Sequence, residues 1–80
     1  MTAAHPTLPL PSLVQVTNTQ TGREIVVRVN DRGPFAGGRI IELTERAGRM
    51  IGISDGQTAD VRLRYLGPAP VKQVGASAAN

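Results

Sequence analysis

Residues 23–39 read REIVVRVNDRGPFAGGR, and the fold turns on the change of character halfway along that stretch. In the first half Ile25, Val27 and Val29 share one face, while Glu24, Arg28 and Asn30 share the other. That two-residue period is the mark of a strand with one side in a core. Val26 interrupts the polar face and predicts partial burial on both sides. The second half, NDRGPFAGGR, packs three glycines, a proline, an acid and two arginines into ten residues. A simple turn needs fewer backbone-shaping residues. Gly33 opens backbone conformations closed to other residues, and Pro34 stiffens the turn, so the pair can hold Asp31 at one place on the surface. From spacing alone Asp31 has two readings. It is an acid presented for chemistry, or it caps its own turn through the backbone, which is the commoner use of Asp.

Working outward, residues 13–18, LVQVTN, alternate with Val14 and Val16 on one face and Gln15 and Thr17 on the other. Residues 19–22 carry turn chemistry, so the two runs predict a β-hairpin. Residues 1–12 contain Pro6, Pro9 and Pro11 and predict an extended lead-in, neither helix nor central strand. On the other side, RIIEL (39–43) predicts a short apolar strand. Thr44 is a helix N-cap ahead of Glu45, Ala47, Met50 and Ile51 fall at helical spacing, and Gly52 is the stop. Such a helix has about two turns and needs packing to persist. Residues 54–56 predict a turn. In residues 60–66, DVRLRYL, Val61, Leu63 and Tyr65 alternate with Arg62 and Arg64, which predicts a strand with the first set inward. From Gly67 onward no period survives, so a domain over residues 1–66 and a disordered tail over 67–80 are expected. A few short strands with one short helix make a mainly β domain, open at its edges unless it closes into a barrel or takes a partner.

Composition narrows the function classes. Eighty residues allow one small domain. With no cysteine there is neither a disulfide nor a thiolate metal site. That agrees with a reducing compartment and also with an exported protein that folds without disulfides. Phe35 and Tyr65 are the only aromatics, so aliphatic side chains must build the core. The net charge of +3 favours anionic partners mildly. The arginines are scattered, however, and no nucleic acid is expected. No apolar run is long enough to span a membrane, and the N-terminal residues lack the pattern of a signal peptide. His5, the single histidine, is either a proton carrier, a ligand or a plain surface residue. With no second histidine or cysteine to join it, no metal centre is expected. Glu42, Asp55 and Asp60 are further acids, and Arg32 and Arg39 bracket the glycines, where they could hold a carboxylate or stay solvated. No phosphate loop and no nucleophile elbow is present, and no cofactor is expected.

The run VTNTQTGREIVVRVNDRGPFAGGRIIELTERAGRMIGI (16–53) resembles the double-psi β-barrel domain of the rare lipoprotein A family, septal-ring lytic transglycosylases of the bacterial cell wall. TAAHPTLP (2–9) is similar to the family's T-A-A-H-x-x-L-P lead-in, GGRIIELTERAGRMIGI to its G-R-I-I-D-L-S segment and helix, and VRLRYL to its closing strand. The resemblance covers residues 2–66. It implies a double-psi barrel with one short helix, a peptidoglycan glycan strand as substrate, and non-hydrolytic cleavage. In that reaction an acid protonates the glycosidic oxygen while the sugar's own 6-hydroxyl closes on the anomeric carbon, giving a 1,6-anhydro sugar. One carboxyl serves as acid and then as base when its pKa lies near neutrality. By resemblance Asp31 is catalytic with His5 lining the site, and Asn30, Arg32 and Glu42 serve loop and substrate. The implied location is the cell envelope, as in a periplasmic or outer-membrane lipoprotein.

The departures are equally specific. The family domain begins upstream of T-A-A-H with a first strand, a glycine-rich turn and a partner acid, whereas Met1 directly precedes Thr2 here. An N-terminally truncated barrel is therefore expected, inactive or very weak by itself. Glu42 replaces an Asp, Thr44 a Ser, and Pro11 stands at a glycine position. Three readings follow: a lytic transglycosylase domain, a non-catalytic glycan-binding module on the same barrel, and a small β-barrel nucleic-acid binder. The scarcity of stacking aromatics and the scattered arginines count against the third. A homodimer in which a second copy of the chain supplies the absent strand would complete the barrel.

Overall fold

The hairpin is the centre of the fold. Strands β2 (Ser12–Asn18) and β3 (Glu24–Asp31) pair antiparallel, from Ser12 opposite Val29 to Thr17 opposite Glu24. Their shared inner face supplies Val14, Val16, Val27 and Val29, all at most 1% exposed. Asn18 builds the turn. Its Oδ1 accepts the backbone N–H groups of Gln20 and Thr21, and its Nδ2 donates to the Ile51 carbonyl at 2.8 Å. The side chain is buried with these partners satisfied, which is the condition for keeping an amide in a core.

The computed structural model describes residues 1–70, in which one sheet has the strand order β4-β1-β3-β2-β5. Strand β1 (Thr2–Ala4) runs parallel to β3, and β4 (Glu42–Leu43) pairs antiparallel with the other side of β1. The extended lead-in expected for residues 1–12 therefore begins as an interior strand. The prolines start only at Pro6, so residues 2–4 keep the amide donors that a central position needs. The expected strand RIIEL contracts to Glu42–Leu43, because β1 offers it only Ala3 and Ala4 as partners. Ile40 is left half exposed. Val26 likewise lies 46% exposed, a correction to its expected two-sided burial. The helix covers one face of the sheet, and Val26 is on the other.

Helix α1 (Glu45–Met50) starts as its sequence predicts, with the Thr44 side chain accepting the Ala47 N–H. Gly52, at φ +87°, ends it, and a Cβ there would meet the Thr21 methyl at 3.0 Å. Ala47 and Ile51, one within the helix and one capping it, are fully buried against Ala3 and the four valines. Strand β5 (Val61–Pro68) pairs antiparallel with β2. Val61 and Leu63 face the core, but Tyr65 is 46% exposed instead of inward. Opposite Leu13 and Val14 the pairing jumps from Gly67 to Tyr65, a bulge that re-aims the side chains of an edge strand. The strand also runs past the expected end of the domain at residue 66, and Ala69 is buried with its N–H on the Pro11 carbonyl at 2.9 Å. Residues 71–80 of the expected tail lie outside the described residues. Among the described residues the fold is mainly β with one short helix, and the sheet does not close on itself: β4 and β5 are its two edges.

Candidate active site

Ala4, the last residue of β1, has two register partners: Asp31 on β3 and Glu42 on β4. Register partners on neighbouring strands share a face, and strands lie about 4.8 Å apart, so Asp31 and Glu42 flank Ala4 with backbones about 10 Å apart. The row behind it, Val29–Ala3–Leu43, faces the core. Hence the carboxylate row faces outward, and both acids are exposed. The pairing steps from Val29 to Asp31 between Ala3 and Ala4, leaving Asn30 as the extra residue of a bulge. That bulge brings Asp31 level with Ala4 and Glu42.

Three contacts fix the end of β3. The Asp31 carbonyl accepts the His5 backbone N–H at 3.0 Å, extending the ladder beyond Ala4. Asp31 Oδ1 accepts the Arg32 N–H at 2.9 Å. The Arg32 guanidinium donates through Nη1 to the carbonyls of His5 and Leu8, clamping the 5–8 turn onto the strand end. Of the two readings of Asp31, the capping contact is the one seen: one oxygen caps the turn, and the carboxylate is exposed. Gly33 adopts φ +122°, a conformation that side chains rarely tolerate, and Gly33 and Pro34 are buried under the loop. Asn30 is exposed beside Asp31.

His5 is half-buried, and its Nδ1 accepts the N–H groups of both Thr7 and Leu8 at 3.1 Å. An Nδ1 that accepts two hydrogen bonds carries no proton, so the ring is the neutral tautomer with its hydrogen on Nε2. Desolvation by burial, and secondly the Arg32 charge, hold its pKa below the ordinary 6.5. His5 is therefore a neutral hydrogen-bond donor beside the Asp31 strand end.

Sequence reasoning singled out Asp31, His5, Asn30, Arg32 and Glu42, and the structure places all five around the C-terminal end of β1. It missed the two carbonyls that Arg32 grips and the turn around the His5 ring. The signal for the latter was His5-Pro6-Thr7-Leu8: the proline bends the chain so that the next two amides point back. Of the remaining acids, Asp55 pairs with Arg49 through both oxygens at 2.8 Å, away from the row. A groove of about 1030 Å³ is lined by residues of the 37–45 and 53–61 segments. Glu42 belongs to both groove and row, whereas Asp31 and His5 do not line the groove. Among the described residues, no three His, Asp or Glu side chains come together as a metal-binding group.

Residues 1–63, which contain the whole carboxylate row and its supports, match the double-psi β-barrel family described as "Lytic transglycolase". The chain belongs to this family. Among its relatives, the "Endolytic peptidoglycan transglycosylase RlpA" of Vibrio cholerae serotype O1 is 58% identical over 66 residues, 82% of this chain and 25% of the relative. The protein of the same description from Neisseria meningitidis serogroup A is 49% identical over 75 residues, covering 90% of this chain and 31% of the relative. The Yersinia pestis protein is 51% identical over 70 residues, 88% of this chain and 19% of the relative. The chain thus spans less than a third of the length of these relatives, and the likeness is to an RlpA-like domain within them.

Proposed function

We propose that this RlpA-like domain acts on the glycan strands of peptidoglycan by lytic transglycosylation, with Asp31 as the acid and base. The observation that carries the reading is the outward row Asp31–Ala4–Glu42, built on a bulged strand end in a domain whose relatives are described as endolytic peptidoglycan transglycosylases. Asp31 gives its proton to the glycosidic oxygen as the bond to the anomeric carbon breaks. The 6-hydroxyl oxygen of the same sugar attacks that carbon, and the Asp31 carboxylate takes the hydroxyl proton, which closes the 1,6-anhydro ring and restores the acid. Glu42, across Ala4, and the exposed Asn30 bond the hydroxyls of the sugar. His5 lines the site with its Nε2–H, and Arg32 acts through the 5–8 turn, holding the strand end in place.

The open sheet favours a second reading, a module that binds the glycan without turning it over, with the groove lined by the 37–45 and 53–61 segments as part of the binding surface. It also leaves room for a second copy to pair with β4 or β5. Either activity places the protein in the cell envelope, where its substrate lies.

The deciding experiment incubates the purified chain with peptidoglycan and looks for anhydro-sugar products by mass spectrometry. Any turnover by the chain, weak or strong, is expected to vanish in Asp31→Asn, whose amide oxygen still accepts the Arg32 N–H and so preserves the turn. Turnover unchanged in that variant overturns the assignment of Asp31, and retention on peptidoglycan without product selects the binding module.

A further inference from the structure

Phe35 is 83% exposed, the most exposed of the large apolar side chains among the described residues. Single apolar residues at a surface are ordinary. What distinguishes this one is its position. A Cβ built on Gly33 would lie 3.8 Å from Phe35 Cε2 and 4.0 Å from the Ala4 methyl. The ring edge and Ala4 therefore look onto the same small space, which the glycine leaves unfilled. Ala4 is the middle residue of the Asp31–Glu42 row, so the ring edge stands close to the residue between the two exposed carboxylates. The loop beneath is rooted by the buried Gly33 and Pro34, so the ring is displayed from a fixed base. Tyr65, the only other aromatic, sits on β5 at the opposite edge of the sheet from β4.

A flat apolar face beside two carboxylates suits one chemistry above others. A pyranose ring is uncharged and presents C–H groups on its faces and hydroxyls around its rim. The faces find no partner in a carboxylate or a guanidinium but pack on an aromatic ring. The rim hydroxyls hydrogen-bond to Asp31, Asn30 and Glu42. We propose that Phe35 is the stacking platform for a pyranose ring of the glycan, seated next to Asp31. This rests on the glycan reading of the same site and specifies how that site holds a sugar.

The test measures retention of the 80-residue chain on peptidoglycan, and its affinity for an N-acetylglucosamine tetrasaccharide by calorimetry. Phe35→Ala is expected to weaken binding by about tenfold, the order of loss when one stacked aromatic is removed. Phe35→Trp is expected to restore it, and Tyr65→Ala to leave it unchanged. Phe35→Leu keeps apolar bulk without the flat ring, so stacking predicts a loss close to that of alanine. Melting temperatures should match the wild type, because the ring is solvent-exposed. If the wild type binds and Phe35→Ala binds equally well, this inference is overturned while the glycan reading stands. Full binding by Phe35→Leu, or an equal loss in Tyr65→Ala, also overturns it in favour of general apolar adhesion. A shift in oligomeric state on Phe35→Ala overturns it in favour of a self-association surface. Failure of the wild type to bind either glycan overturns the glycan reading and this inference together.

Discussion

At Asp31 the backbone and the side chain serve different ends. The carbonyl ties the strand to His5, one carboxylate oxygen closes the turn on Arg32, and the carboxylate is exposed. His5 gives the most direct physical test at this scale. Protonating Nδ1 breaks two backbone hydrogen bonds, so folding disfavours the charged ring, in line with its lowered pKa. For a histidine depressed in this way the unfolded chain binds the proton more readily. Stability is then full above the unfolded value of 6.5 and falls as the pH drops from 6.5 towards the lower folded pKa. An NMR titration of the ring should show its midpoint below 6.5, and a His5→Asn variant should lose part of the decline in melting temperature between neutral and mildly acidic pH. A midpoint at or above 6.5 would contradict the neutral-donor assignment. The acid, the glycine and the proline of this loop were legible in the sequence as a shaped turn. Their partners were not: Arg32 grips carbonyls 24 and 27 residues away, and no local period encodes such a bond.

Among the elements, the short helix carries weight beyond its length. It is too brief to hold itself, and it depends on the Thr44 cap at one end and the burial of Ala47 and Ile51 along its inner side. Removing the cap hydroxyl in Thr44→Ala should cost about 1 kcal/mol. For a domain of this size that corresponds to a fall in melting temperature of about 5 °C, measurable by circular dichroism. Thr44 directly follows β4, so the same variant should loosen Glu42 and raise KM for glycan more than it lowers kcat. An unchanged melting temperature would show that packing alone sustains the helix. The cap, the stop at Gly52 and the hairpin could all be read from residue type and spacing, because each is decided within a few residues. The extent of β4 could not, since its length is set by the three residues of β1 against which it pairs.

For the whole molecule, the open sheet is the dominant feature. Among the described residues two edge strands keep unpaired backbone groups, and half-exposed apolar side chains accompany them, among them Ile40 before β4 and Leu66 on β5. Exposed edges are templates for another strand. If a second copy fills them, analytical ultracentrifugation should show a dimer at high micromolar concentration, and Ile40→Lys in the groove wall should dissociate it. A wild-type chain that sediments as a monomer across that range excludes this route to closure. By itself the sequence determined the valine-lined hairpin, the capped helix, the Gly-Pro loop that presents Asp31, and through its resemblance the family. These depend on near neighbours in the chain or on a contiguous pattern of residue types. Only the tertiary structure decided that residues 2–4 form an interior strand, and that Ala4 stands between Asp31 and Glu42. Tertiary packing also decided that Val26 and Tyr65 face away from the core. Strand pairing across long sequence separations leaves no local signature, and a residue's burial depends on which face another element happens to cover.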